Sequence, residues 1–321
     1  MKAITQREFG SPDDLQLEDV REPSVGEADV LIQVRAASVN PRDWHVLRGL
    51  PYIVRPQIRK LRSGVLGSDV AGQVQAVGKD VTRFRPGDEV FADAVTGGFA
   101  EYTSVPQEFV APKPANLTFE EAATVPLAAV TALQGLRDHG RVEPGQRVLI
   151  IGASGGVGTF AVQIAKWLGA QVTGVCSTKK VDLVRSLGAD QVIDYTREDF
   201  TRDGRRYDLI LQLAGTTSPG DCRRALSPTG TLLLSSGDST GRWIGPVGRV
   251  LKAMILSPFV RQRLASFEAK RSGEDLLVLK ELIETGKVTP VIDRMYSLGD
   301  VPEAIRYLEE GHARGKVVIT V

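Results

Sequence analysis

The sequence predicts an α/β protein in which a doubly wound parallel sheet is inserted into a smaller β-rich, barrel-like domain. Three observations predict it. Residues 1–115 carry short apolar segments broken by turn residues, as strands of a small barrel would. From Arg147 onward, apolar runs of strand length alternate with helical patterns, which implies parallel strands with helices on both faces. From Gly286 the short-strand pattern returns, so the tail completes the first domain and the second is the insertion. At 321 residues with 42% hydrophobic content, the chain can fill two cores.

In chain order, Met1-Lys2-Ala3-Ile4-Thr5 enters a strand at once, and Val30–Val39 is the longest strand of the first region. Val65–Val77 contains Gly67 and Gly72 and is expected to bend, and the turn Arg85-Pro86-Gly87-Asp88 feeds another strand. Thr118-Phe119-Glu120-Glu121 fits a capping box, and a second helix is expected over Thr131–Asp138. After Pro144-Gly145 the strand candidates are Arg147–Ile151, Gln171–Cys176, Gln191–Asp194, Asp208–Leu213 and Thr231–Leu234. The tail offers a strand over Val288–Ile292, a helix over Val301–Glu309 and a final strand over Lys316–Val321. Internal repeats and low-complexity segments are lacking.

The most informative stretch is Val148-Leu149-Ile150-Ile151 running into Gly152-Ala153-Ser154-Gly155-Gly156-Val157-Gly158 and then a helical pattern. Glycines between a buried strand and a helix let the backbone turn sharply and approach a diphosphate at the helix N-terminus. The spacing departs from GxGxxG, so its weight comes from the strand-helix-strand setting that Gly169 and Gln171–Cys176 complete. An NAD site would place an acid about 20 residues past the glycines for the ribose 2′-hydroxyl. No acid lies between Gly158 and Asp182. The second strand ends in Ser177-Thr178-Lys179-Lys180, two hydroxyls and two cations suited to a 2′-phosphate, which favours NADPH over NADH. The competing reading makes Lys179 and Lys180 solvated charges opening the next helix.

Composition narrows the partners. Lys and Arg number 40 against 39 Asp and Glu, no footprint for nucleic acid, so small molecules are expected. The amino terminus has no signal-peptide pattern and no apolar run spans a bilayer, so a cytoplasmic protein is expected. Cys176 and Cys222 have no CxxC partner and read as buried small hydrophobes.

With these residues assembled, the chain resembles the zinc-independent medium-chain dehydrogenase/reductases of the quinone oxidoreductase and alkenal reductase type. The resemblance rests on Ser38-Val39-Asn40-Pro41-Arg42-Asp43-Trp44, on Leu66-Gly67-Ser68-Asp69-Val70-Ala71-Gly72, on the glycine loop and on Gly315-Lys316-Val317-Val318. It implies a Rossmann-type sheet over 124–285 inserted in a β-rich GroES-like barrel domain over 1–123 and 286–321, with the active site between them and a homodimer through an edge of the nucleotide-domain sheet. It places Asn40 and Thr131 beside the nicotinamide; Ser154, Gly155, Gly156 and Val157 at the diphosphate; Ser177, Thr178, Lys179 and Lys180 at the 2′-phosphate; and Tyr195 on the adenosine phosphate side. Leu213, Ser235 and Ser236 would face the nicotinamide, and Gly315 with Lys316 would close the pocket. Plainer roles stand beside these: Asn40 as a turn former, Thr131 as a helix cap, Tyr195 as a partly buried aromatic.

No metal is expected. Residues 1–123 hold no cysteine and one histidine, His45, and Ser68-Asp69 stands near where zinc-dependent relatives carry His-Glu. Asp69 is expected to have a structural role in its loop. Reducing a simple ketone develops a basic alkoxide that calls for a Lewis acid or a placed proton donor. No Tyr here has a Lys four residues later. Hydride delivery to a quinone or an α,β-unsaturated carbonyl leaves a delocalised oxyanion of phenol-like pKa, about 10, which modest hydrogen bonding stabilises. Conjugated acceptors are therefore favoured, with an enoyl-thioester reductase, or an NADPH-binding sensor or scaffold with little turnover, as alternatives.

His45 replaces a Lys found in several relatives, and is the candidate proton donor or, more plainly, a packing residue. Arg55, Arg59, Lys60 and Arg62 lie near the expected substrate entrance. Arg242–Arg271 carries seven basic residues against the single acid Glu268, around the apolar stretch Ile244–Phe259. An amphipathic cap helix is the preferred reading there; peripheral docking on an anionic membrane is the sharper one.

Overall fold

Strand-forming alternation in the first region and buried apolar runs in the second produce two compact units in a computed structural model of the chain, residues 1–130 with 270–321 and residues 131–269. The structure describes residues 1–56, 64–235 and 260–321. Ser236, Arg59, Lys60, Arg62 and the stretch 242–259 lie outside them.

In the first unit, β1 (Lys2–Thr5) and β2 (Gln16–Asp19) form a small ribbon. Strand β3 (Asp29–Val39) is followed by α1 (Pro41–Arg48), and then come β4 (Asp69–Val77), β5 (Glu89–Asp93), β6 (Tyr102–Pro106) and β7 (Val110–Pro112). Helices α2 (Phe119–Ala123) and α3 (Pro126–Gln134) lead out of the unit. Thr118 caps α2 by accepting from the Glu121 amide, the box its sequence predicts.

The second unit holds β8 (Arg147–Ile151), α4 (Gly156–Trp167), β9 (Gln171–Cys176), α5 (Val181–Ser186), β10 (Gln191–Asp194), β11 (Tyr207–Gln212), α6 (Pro219–Ala225), β12 (Leu226–Ser235) and β13 (Arg263–Phe267). The order is β10-β9-β8-β11-β12-β13 with every pairing parallel, the Rossmann arrangement. The order in which strands are added reverses at β8, so right-handed crossovers put helices on opposite faces. Leu149, Ile210, Leu232 and Ile193 centre its core.

The chain then returns to the first unit through α7 (Gly273–Glu284), β14 (Ile292–Ser297), α8 (Val301–Glu309) and β15 (Lys316–Thr320). Strand β15 joins β3 antiparallel and β14 parallel, giving a seven-stranded sheet in which β3 also pairs β6. Ile32, Val70, Val90, Val317 and Ile319 lie in its core.

The structure departs from expectation in four places. Helix α7 belongs to the first unit, not to a second domain ending at 285, because Gly273 packs so tightly on the Glu108 carbonyl that a Cβ there would lie 2.4 Å from it. Strand β13 was hidden in a basic segment whose alternation is short. The helix expected over Thr131–Asp138 begins at Pro126 and passes into a π-turn at Gly135–His139, and the tail strand lies at Ile292–Ser297 rather than Val288–Ile292. Among the described residues, no helix is long and apolar enough to cross a membrane.

Candidate functional site

The glycine loop sits at the carboxyl end of β8, beside the reversal in strand order where doubly wound sheets bind ligands. Gly152 has φ +87°, a left-handed conformation, and a Cβ on it would meet the Ala214 Cβ at 2.8 Å. A Cβ on Gly158 would lie 2.0 Å from the Gly152 carbonyl oxygen, so this glycine lets α4 close on the strand. Gly155, the N-cap of α4, differs from both: its φ is −85°, and a Cβ would find its nearest atom at 3.5 Å. The protein's own packing does not require glycine there. Ser154 is buried beside it, and the first-turn amides of α4, among them Gly156 and Val157, lie at the helix N-terminus where backbone donors are left over.

The other predicted residues of this unit line the same edge of the sheet. Ser177 N-caps the short turn Thr178–Lys180 just after β9, with Lys179 exposed and Lys180 half-buried. Tyr195 follows β10, its amide donating to the Cys176 carbonyl at 3.1 Å and its side chain 62% exposed, so it is no core aromatic. Leu213 follows β11 with its amide on the Ile151 carbonyl at 3.0 Å, and Ser235 ends β12. Thr131 lies within α3 at the start of the unit, mid-helix and not at a cap.

Two residues of this edge escaped the sequence reading. Gln212 is buried at the end of β11, its Nε2 donating to the Thr217 carbonyl at 3.1 Å and so holding the loop after Leu213. A polar residue closing the run Leu209-Ile210-Leu211 was its only signal. Asp194 accepts from Thr178 Oγ1 at 2.5 Å, although sixteen positions separate them in the chain. Thr178, predicted as a phosphate ligand, is thus already engaged.

In the first unit, Asn40 and Lys316 meet inside a buried polar cluster. Asn40 is 1% exposed, Lys316 3% and Asp69 0%. Lys316 Nζ donates to Asn40 Oδ1 at 2.5 Å and lies 3.6 Å from Asp69 Oδ2. Asn40 Nδ2 donates to Asp69 Oδ2 at 3.0 Å and to the Ser38 carbonyl at 3.2 Å. With a cation on one side and an anion on the other, the carboxamide has one orientation. Asp69 opens β4 rather than sitting in a loop, and its Oδ1 accepts the Leu127 amide at 3.0 Å. Asp43 closes a capping box with the Asn40 amide at 2.7 Å and accepts from Ser68 Oγ.

Burial governs the charges in this cluster. It pushes the Asp43 carboxyl up to about 7, against the opposing Asn40 amide, and Asp69 up to about 6, held back by Lys316. It lowers the Lys316 ammonium. Gly315 has φ +100° and a Cβ would meet the Val291 carbonyl at 2.4 Å, a backbone requirement that turns Lys316 inward.

His45 occupies the last turn of α1, its ring stacked on Trp44 at 3.8 Å. Nδ1 lies 3.2 Å from the Leu50 carbonyl, an acceptor only, so that nitrogen carries the proton. In the neutral ring Nε2 is then the acceptor, and proton donation from it requires the imidazolium. Among the described residues, no group of three His, Cys, Asp or Glu side chains is placed to hold a metal ion.

Comparison with known proteins places these features in context. Residues 26–115 match the family model of the alcohol dehydrogenase GroES-like domain, and residues 187–319 match that of a zinc-binding dehydrogenase. The chain is 35% identical over 309 residues to the quinone-oxidoreductase QR1, chloroplastic, of Triphysaria versicolor, covering 92% of this chain and 91% of that protein. It is 34% identical over 333 residues to the NADPH-dependent alkenal/one oxidoreductase, chloroplastic, of Arabidopsis thaliana, covering 99% and 79%. The solved structure of the quinone oxidoreductase from Coxiella burnetii has a TM-score of 0.89 and 31% identity, covering 100% of this chain and 99% of that one.

Proposed function

The chain belongs to the medium-chain dehydrogenase/reductase superfamily, in its quinone oxidoreductase and alkenal reductase type, and we propose that it is an NADPH-dependent oxidoreductase acting on a quinone or an α,β-unsaturated carbonyl without a metal. The observation that carries this reading is Gly155. Neither its φ nor the packing around it requires a glycine, and a diphosphate drawn against the α4 N-terminus fits the space that the missing side chain leaves. When bound, the reduced nicotinamide supplies the hydride.

The chain's own residues hold and orient. Ser154 and the amides of Gly156 and Val157 take the diphosphate, Ser177, Lys179 and Lys180 the 2′-phosphate, and Tyr195 the adenosine side. Leu213, Ser235 and Thr131 frame the nicotinamide. Asn40 and Lys316 act from within the buried cluster, fixing the start of α1. His45 is the candidate proton donor in its charged form. The residues do not fit a catalytic zinc: Asp69 is turned into the cluster, and both cysteines lie in the second unit. Relatives named as quinone and alkenal/one oxidoreductases support the substrate class.

NADPH oxidation in the presence of a chelator, against quinones, 2-alkenals, enones and saturated aldehydes, tests the reading. Turnover with the conjugated acceptors and none with saturated aldehydes is expected. Activity confined to saturated aldehydes and lost on chelation would sink it. The same assay on His45→Ala should show a lower rate and a flattened profile across neutral pH; an unchanged profile removes His45 from the chemistry.

A further inference from the structure

Asp194 ends β10, one strand over from the turn that follows β9, and its carboxylate reaches that turn. Oδ2 accepts from Thr178 Oγ1 at 2.5 Å, and Oδ1 accepts from the Thr196 amide at 3.0 Å and Thr196 Oγ1 at 2.7 Å. Arg197 Nε stands 3.6 Å from Oδ2. A hydroxyl carries one proton, and Asp194 takes the one that Thr178 has. Toward any further partner Thr178 is left with acceptor capacity alone, whereas a phosphate oxygen needs a donor. The hydroxyl of Thr196 is committed to the same carboxylate. The Thr178 hydroxyl, and after it Thr196, holds the Asp194 carboxyl below its usual range, so a full negative charge lies one hydrogen bond from the turn.

We propose that Asp194 is a specificity-determining residue of the dinucleotide site: it withdraws Thr178 from phosphate binding, making it an anchor of the turn, and sets a fixed anion beside the adenosine 2′ position, so that preference for a 2′-phosphate rests on Ser177, Lys179 and Lys180 and is held to a modest value. The inference rests on the reading of this edge as an NADPH site and deepens it. Its physical content is a like-charge contact at the turn. In water such a contact changes affinity by about three- to five-fold at close range, and salt screens it.

The experiment is a fluorescence titration of the whole chain with NADPH and NADH, using wild type, Asp194→Asn and Thr178→Val, with unfolding midpoints recorded for each. Asp194→Asn keeps size and acceptor oxygen while removing the charge. It should raise the NADPH-to-NADH affinity ratio about three- to five-fold at low salt by tightening NADPH, with the gain shrinking at high salt. A merely structural role for Asp194 would not produce that salt dependence. Thr178→Val should leave the ratio within about two-fold, because its hydroxyl is not a phosphate ligand. An unchanged or lowered ratio in Asp194→Asn overturns the assignment, as does Thr178→Val losing NADPH about ten-fold while keeping NADH. If Asp194→Asn does not fold, Thr178→Val alone decides. Wild-type protein that binds neither dinucleotide overturns this assignment and the reading beneath it; binding with an unmoved ratio overturns the assignment alone.

Discussion

Gly155 and Gly158 stand three positions apart, one the N-cap of α4 and the other in its first turn, and answer to different demands. At 158 an added methyl would overlap the Gly152 carbonyl oxygen, so Gly158→Ala should destabilise the protein by about 1–3 kcal/mol through overpacking. At 155 the backbone is ordinary for any residue and the space is open. There the reduced unfolded-state entropy of alanine and its poorer N-cap offset one another to within about 1 kcal/mol. Gly155→Ala should therefore melt like the wild type yet bind NADPH at least about ten-fold more weakly, as a methyl standing between backbone and diphosphate would require. Thermal unfolding with a binding titration on both variants checks this. A Gly155→Ala protein that binds normally would show that nothing approaches the loop closely. Sequence alone marks all four glycines alike; only the contacts of each tell them apart.

At the scale of elements, α1 is tied to the sheet by a buried charge cluster instead of by apolar contact alone. Asp43 caps the helix from inside the fold with a carboxyl raised from 3.8 to about 7. Because its folded pKa lies above the unfolded one, the folded state holds the extra proton between those values. The associated stability is complete below pH 3.8 and is lost as pH rises through about 7. Asp43→Asn stays neutral throughout, so the melting temperature of the wild type relative to this variant should climb as pH falls from neutral toward 4. A difference independent of pH would mean that the fold does not raise the Asp43 carboxyl above its unfolded value. The cluster also shows where sequence reading stops. Asn40, Asp69 and Lys316 were each noticed, but only the pairing of β15 with β3 and β3 with β4 brings them within hydrogen-bond reach. Strand β13 went unseen for a related reason: five residues paired to β12 carry too little alternation to stand out.

For the whole molecule, cofactor binding and folding are linked. A ligand at a hundred times its Kd adds about 2.7 kcal/mol to stability, enough to move a melting transition by several degrees. NADPH should raise the transition of this chain more than NADH at equal concentration. The double variant Lys179→Ala/Lys180→Ala should bring the two shifts together by lowering that of NADPH. Equal shifts in the wild type would refute selection of the 2′-phosphate, and a double variant that keeps the difference would move the selection away from these lysines. Lys179 is exposed and therefore accessible to such a ligand without rearrangement.

The amino-acid order by itself determined the class of fold, the insertion of one domain in another, the glycine loop and the turn after β9. These depend on neighbours along the chain, where periodicity, turn chemistry and the run of glycines act over a few residues. Tertiary structure alone decided which side chains are spoken for. Thr178 is claimed by Asp194 and Lys316 by Asn40 and Asp69 because parallel and antiparallel pairing brings distant strand ends together. A hydroxyl or an ammonium has few hydrogen bonds to give, so what it can offer a ligand follows from what the fold has already taken.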